Sequence, residues 1–343
     1  MISFSITIEK NPGSDPSAGN ATRPAASDVP VTAHPARKYC QDALRLSSNM
    51  MKSALLVFLF RTINLLPDSL RLGLGSICAT LMRVLMKRRR FIVSTNLQLC
   101  FPEATPAQRE RWLREHFRAL AQTMIDRAVL WYGSEDKIRR MVHLSGYEHI
   151  QNSIDASRPT LMFAPHFVGL DAAATILSMH LVKSATMYTP ASDPQVDAIM
   201  IKGRGRFNKV TQISRKEGIR SLIRQLRQGT PVYYLPDMDF GRDGAIFVPF
   251  FGVPAATLPA TAQIARTWKA DVIPIVTRWD SATGHYHTRV LPPFADFPGQ
   301  MSLEQATLFC NQQLEQWVRT DPPQYYWVHR RFKTRPEGEK KFY

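Results

Sequence analysis

At 343 residues with 44% hydrophobic content, the chain is long enough to bury a sizeable core and too apolar to be disordered throughout. Lysine and arginine outnumber aspartate and glutamate by 44 to 28, a net charge of +16 that favours an anionic partner: lipid headgroups, nucleic acid or an acidic carrier protein. The four cysteines (Cys40, Cys78, Cys100, Cys310) form no C-x-x-C pair, which argues against a zinc site or a disulfide framework and for reduced thiols facing a cytosol.

Residues 1–49 are rich in Pro, Ser, Ala and Gly and carry no sustained periodicity, so they read as a disordered tail. No apolar stretch follows a basic start there, which excludes a secretory signal, and Met50 or Met51 is a plausible alternative start. Residues 50–92 read as a membrane-associating helical segment. SALLVFLF at 53–60 is apolar but is interrupted by Arg61, and no window reaches the roughly 18 uncharged residues of a spanning helix. A second apolar run over 72–82 places Leu74, Ile77, Leu81 and Leu85 on one helical face, ahead of Lys87-Arg88-Arg89-Arg90. Apolar helix followed by basic cluster suits a helix pair lying in an anionic leaflet. A buried core helix with a solvated basic end produces the same pattern, and so does a single span.

Residues 93–343 read as one α/β domain. Thr105-Pro106-Ala107-Gln108 predicts a capped helix whose buried face runs through Leu113, Phe117, Leu120, Met124, Ala128 and Trp131. Short apolar runs then predict strands at 160–164, 185–189, 231–235, 271–277 and 286–291. Helices are predicted at about 169–182, 193–203, 216–228, 258–269 and 302–319, the last opened by a Ser302-x-x-Gln305 capping box. Such alternation implies a mostly parallel central sheet covered by helices on both faces. The sequence contains no glycine-rich phosphate loop of the dinucleotide or P-loop type.

Chemistry concentrates at the ends of these strands. In Thr160-Leu-Met-Phe-Ala-Pro-His166-Phe-Val-Gly-Leu-Asp171, an apolar run ends at Pro165, histidine follows, and a helix begins near Gly169. Ligand sites of open α/β sheets form beyond the carboxyl ends of strands. Asp171, on the first helical turn, is placed to fold back on His166 and free its other nitrogen as a general base. No serine or cysteine nucleophile is implied, so the nucleophile would be a substrate hydroxyl. A histidine that ends a strand beside an aspartate at a helix N-terminus gives the same spacing without chemistry. Lys202-Gly-Arg204-Gly-Arg206-Phe-Asn-Lys209, followed by Arg215-Lys216, reads as a basic loop able to clamp phosphate, or as a solvated one. Asp237 and Asp239 in Leu-Pro-Asp-Met-Asp-Phe-Gly suit either a divalent metal or a turn ordered by side-chain-to-backbone bonds. His285 and His287 read as structural, with no third ligand evident.

Taken in order, HFVGLD, GRGRFN, RKEG, PDMDFG with FVPFFGVPA, and the terminal YYWVHRRFKTRPEG resemble the lipid A biosynthesis lauroyl/myristoyl acyltransferases, the late acyltransferases of lipopolysaccharide assembly. The resemblance runs from about residue 51 to the C-terminus. It implies that the H-x4-D/E pair is catalytic, mapping to His166 and Asp171, although the acid here is Asp where other members carry Glu. Active-site or substrate-binding roles are implied for Arg204, Arg206, Asp237 and Asp239, and for Arg330 and Arg331; Lys216 joins them from the basic cluster. The resemblance further implies an acyl-carrier-protein thioester as donor, a lipid A precursor or related phosphorylated glycolipid as acceptor, no cofactor or metal, and the cytoplasmic face of the inner membrane. Two other readings remain. A metal-dependent glycosyltransferase would use Asp237 and Asp239 and be EDTA-sensitive. A nucleic-acid binder would need a run of aromatics interleaved in the basic loop, where Phe207 stands alone, and no recognised nucleic-acid motif is present.

Overall fold

The computed structural model describes residues 51–343. The tail expected at 1–49, with the alternative start at Met50, lies outside the described residues. The chain opens in a helix at 51–65 (α1). Three helices follow: α2 (Asp68–Leu85), α3 (Lys87–Cys100) and the long α4 (Pro106–Tyr132). Thr105 accepts from the Gln108 amide, with Pro106 in the first turn, as the sequence predicts.

Seven strands form one sheet. They are β1 (Val142–Ser145), β2 (Thr160–Phe163), β3 (Lys183–Tyr188), β4 (Lys209–Ser214), β5 (Val232–Tyr234), β8 (Asp271–Trp279) and β9 (Tyr286–Val290), ordered β1-β9-β8-β2-β5-β3-β4. All neighbouring pairs are parallel except β8 and β9. Because successive side chains point to opposite faces, Leu161 and Phe163 of β2 pack with Leu222, Ile264 and Cys310. These come from α9 (Ile219–Arg227), α10 (Ala260–Trp268) and α11 (Leu303–Thr320). Met162 and Ala164 pack on the other face against Ile150 of α6 (Glu148–Asp155) and Ala173 and Leu177 of α7 (Leu170–His180). The mostly parallel sheet covered on both faces is therefore present. Helices α5 (Glu135–Met141) and α8 (Pro194–Arg204) complete the set, and Ser302 and Gln305 form the full capping box at the start of α11.

The sequence reading named no helix at α3, α5 or α6, and three features of the strands escaped it as well. β1 is short, and β4 (KVTQIS) has no apolar run, because it is an edge strand with mostly half-exposed side chains. The third is the antiparallel hairpin of β6 (Ile246–Phe250) and β7 (Val253–Thr257). Its two-residue turn has positive φ at both Phe251 (52°) and Gly252 (75°), the backbone that matches strand twist in a tight hairpin. Phe251 tolerates this because its amide donates to Glu315 and its ring packs on Phe101 and Trp327. The hairpin, α3, α4 and the C-terminal tail share a further core.

Helix α2 departs from the usual arrangement of apolar residues inward. The side of α2 that packs on α4 carries Arg71, Gly75 and Ala79, with Arg71 in a buried ion pair with Asp126. Ile77, Leu81 and Leu85 of the apolar face, by contrast, are exposed, with Ile77 at 61%. Small and paired residues thus make the closest part of the helix contact, with Leu72 and Met82 packed on the core beside them, while the Ile77, Leu81 and Leu85 face does not have the burial a core helix would give it. In α4 the expected face is incomplete, since Met124 is exposed while Gln122 and Asp126 are buried. Asp126 is buried because Arg71, Gln122 and the Tyr286 hydroxyl all bond to it. Among the described residues no single helix is long and apolar enough to cross a membrane; α2 and α3 reach that threshold together but meet at 90°. α3 runs without a break through residue 92, the expected boundary of the acyltransferase domain.

Candidate active site

The carboxyl ends of β2, β5, β3 and β4 lie along one edge of the sheet, because these strands are parallel. β2 runs through Ala164 and Pro165 into His166, while the neighbouring β5 runs through Leu235 and Pro236 into Asp237. Side-by-side pairing of Phe163 with Tyr234 brings the two loops together. His166 Nδ1 lies 2.8 Å from Asp237 Oδ1, and the His166 amide donates to both oxygens of the same carboxylate at 3.1 Å. The Tyr325 hydroxyl adds another donor. Burial opposes ionisation of Asp237, but His166 and these donors outweigh it and hold the carboxyl below the usual range. An ionised carboxylate only accepts, so Nδ1 carries the proton and Nε2 is the basic nitrogen.

The C-terminal segment is zipped onto this loop. Phe167 and Tyr325 form an isolated antiparallel bridge, Val168 N donates to Gln324 O, and Tyr326 N donates to His166 O at 2.9 Å. Three successive backbone positions, 166 to 168, are thus tied to residues 324 to 326. The remainder of the tail secures the Asp237 loop: His329 Nε2 accepts from the Asp239 amide, and the Thr334 amide and hydroxyl both donate to the Asp239 carboxylate. Burial pushes the His329 imidazole down to about 3, so it is neutral and able to accept that bond.

Asp171 does not reach His166. Its carboxylate accepts from Arg127 Nε at 2.8 Å and from Arg204 Nε at 2.9 Å. Burial would raise its pKa, but the Arg204 and Arg127 guanidiniums overcome it and hold the carboxyl far below the usual range. The contact expected within H-x4-D is replaced by a buried cluster of one carboxylate and two arginines. The reason is that Asp171 sits on the first turn of α7 where that helix packs against α4 and α8, the helices carrying Arg127 and Arg204.

The other predicted residues separate into distinct environments. Arg204 and Gly203 end α8 rather than lying in a loop, and Arg206 donates to the carbonyls of Leu130 and Gly133 at the end of α4. Lys216 is exposed on the short turn after β4, while Arg215 beside it lies 3.7 Å from the centre of the Phe240 ring. Asp239 orders its turn by accepting from the Gly241 amide, the side-chain-to-backbone alternative of the sequence reading. Asp237 and Asp239 thus turn to different partners. Arg331 is 1% exposed and donates to Ala256 O and Thr257 Oγ1, a packing role, whereas Arg330 is half-exposed. His285 meets His143, with 3.2 Å between ring nitrogens, and His287 stacks on the same His143 ring at the edge of β1 and β9. Among the described residues no group of three or more His, Cys, Asp or Glu is arranged to hold a metal. Arg127 and Tyr325 escaped the sequence reading. The signal for Arg127 was a cation one turn before Trp131 in the more apolar second half of α4.

Comparison with known proteins identifies the family. The family model for bacterial lipid A biosynthesis acyltransferases matches residues 41–334. The chain is 34% identical to the lipid A biosynthesis lauroyltransferase of Escherichia coli K12 over 79% of its own length and 87% of the relative's. It is 33% identical to a lipid A biosynthesis acyltransferase of Haemophilus influenzae, over 74% and 78% respectively. Identity to the E. coli palmitoleoyltransferase of the same process is 28%, over 81% and 90%. With a family match over most of its length and a relative 34% identical over 79% of it, this chain belongs to the bacterial lipid A biosynthesis acyltransferases.

Proposed function

We propose that the protein transfers a fatty acyl chain from an acyl-carrier-protein thioester to a hydroxyl of a lipid A precursor, with His166 as general base. The observation that carries this reading is the bond between His166 Nδ1 and Asp237, which leaves Nε2 free and basic. Nε2 takes the proton of the acceptor hydroxyl as its oxygen attacks the thioester carbonyl carbon. The carbon–sulfur bond then breaks, and the imidazolium returns the proton to the departing thiolate. Asp237 fixes the tautomer and stabilises the imidazolium. Asp171 acts at one remove, by holding Arg127 and Arg204.

The same reading places the protein on the cytoplasmic face of the inner membrane, with residues 51–92 against the lipid. Support comes from Leu55, Phe58, Ile77, Leu81 and Leu85, all exposed, and from Lys87, Arg88 and Arg90, which point to solvent beside them. A cationic surface also suits an acidic carrier protein.

The direct test is transfer of radiolabelled acyl chain from acyl-carrier protein to a lipid A precursor in detergent, alongside mass spectrometry of lipids from a deletion strain. Label on the acceptor, lost with His166→Ala, is expected. An active and normally folded His166→Ala protein would refute the mechanism.

A further inference from the structure

Between α1 and the end of α4 lies an open pocket of ≈ 480 Å³ lined by Arg61, Asn64, Leu65, Trp131, Tyr132 and Arg206. Two guanidiniums line it and no carboxylate does; Glu135, outside the lining, is the acid acting on Arg206. The two cations are held differently. Arg206 is anchored on the carbonyls of α4 and over the Phe207 ring at 4.6 Å. Arg61 is exposed and lies 5.9 Å from the centre of the Tyr132 ring.

Two residues of the pocket wall carry unpartnered polar atoms. Trp131 is 5% exposed, yet its Nε1 has no acceptor, and Asn64 Oδ1 has no donor. Buried polar atoms without partners are uncommon in native proteins and call for a reason. The indole is also locked in place: Phe60 meets it edge-on at 5.4 Å, and a Cβ on Gly203 would come within 2.4 Å of the ring. Finally, the pocket opens beside an apolar surface, since Leu65 is 80% exposed and Leu55, Phe58 and Leu59 of the same helix are exposed too. Paired guanidiniums suit the planar, multi-oxygen geometry of phosphate, and the apolar rim suits an acyl chain.

We propose that this pocket receives the phosphate of a phosphorylated lipid headgroup, with Arg61 and Arg206 on its oxygens and the lipid's apolar part against Leu65. The proposal deepens the acyl-transfer reading by giving it a headgroup site, but its test does not depend on catalysis. Binding of dihexanoyl phosphatidic acid to the full chain in non-ionic detergent, with uncharged dihexanoylglycerol as the match, is measured by calorimetry. The wild type should favour the phosphorylated probe by about tenfold or more, and Arg61→Gln should lose about tenfold in affinity with an unchanged melting temperature. Arg61→Lys should recover only part of it.

Two further arms identify the source of the phosphate. A roughly tenfold rise in acceptor KM at constant kcat for Arg61→Gln assigns the pocket to the acceptor glycolipid. An unchanged KM, with weakened binding to phosphatidylglycerol vesicles, assigns it to the surrounding lipid. Equal binding of both probes by the wild type, or undiminished phosphatidic acid binding by Arg61→Gln, overturns the proposal. Absent acyl transfer with normal probe binding would instead count against the proposed function alone.

Discussion

His166 and Asp237 are 71 residues apart in the chain, yet Nδ1 and Oδ1 are 2.8 Å apart, because each residue follows a strand and the two strands are neighbours. The nearer acid, Asp171, is occupied elsewhere. The carboxylate that orients the proposed base is thus Asp237, which predicts an order of effects. Asp237→Asn should reduce acyl transfer about 10²–10⁴-fold, close to His166→Ala, since an amide cannot stabilise the imidazolium. Steady-state rates on folded protein check it. An Asp237→Asn enzyme within a few-fold of wild type would remove Asp237 from the mechanism.

Asp171→Asn should behave differently. It leaves the half-buried Arg127 and Arg204 without their counter-ion, and breaking a fully buried pair costs roughly 3–5 kcal/mol, less here because both guanidiniums are partly exposed. We expect a clear drop in melting temperature. The loss of turnover per folded molecule should be smaller than for Asp237→Asn. Because the folded carboxyl titrates below its unfolded value, the wild-type advantage is complete above the ordinary carboxylate range and fades as pH falls through the folded value. The gap in melting temperature between wild type and variant should therefore be narrower at pH 3 than at pH 7 without closing, because pH 3 still lies above the folded value.

The sheet and its helices were legible because their signals are local: apolar runs, capping boxes and glycine stops lie within a few residues of the elements they define. What was not legible is which loops meet. The spacing of His166 and Asp171 pointed to each other, but nothing local says that β5 lies beside β2, or that α4 and α8 deliver Arg127 and Arg204 to Asp171. The glycines of GRGRFN invited a flexible-loop reading, whereas Gly203 lies in a helix and is glycine because Trp131 leaves no room for a side chain. β4 was missed because an edge strand needs no apolar run.

Gly203 and Gly73 make a paired stability test. A methyl at Gly203 would strike the Trp131 ring, so Gly203→Ala should cost about 1–3 kcal/mol, or displace the indole. A methyl at Gly73 in α2 meets nothing within 4 Å, so Gly73→Ala should stabilise by roughly 0.5–1 kcal/mol through helix propensity alone. Chemical denaturation of both variants reads the contrast. Matching signs would show that the packing described for Trp131 is not what limits residue 203.

The exposed apolar face should govern membrane binding rather than folding. Replacing Ile77 and Leu81 together by serine removes exposed surface, so the melting temperature in detergent should change little. Flotation with anionic vesicles should fall strongly, because the lost interaction is burial in the lipid interface. A variant that floats as well as wild type would leave this face without a lipid role.

The last prediction concerns acid. His116 is fully buried, with its Nδ1 2.9 Å from Pro323 O, and burial pushes its imidazole down to about 4; His329 is pushed down to about 3. Both are therefore neutral in the folded chain while an unfolded histidine protonates near pH 6.5. Between those limits the unfolded state binds more protons, so stability is complete above about pH 6.5 and is lost as pH falls toward the folded values. For His116 alone the loss by pH 5 is about 2 kcal/mol. Burial pushes Glu315 and Asp321 up, which acts in the opposite sense, nearer the ordinary carboxylate range. Urea midpoints at pH 7.5 and 5.0 should therefore shift downward in wild type and by less in His116→Gln, whose amide keeps a donor for Pro323 without titrating. An equal shift in wild type, His116→Gln and His329→Gln would place the acid sensitivity outside these two residues.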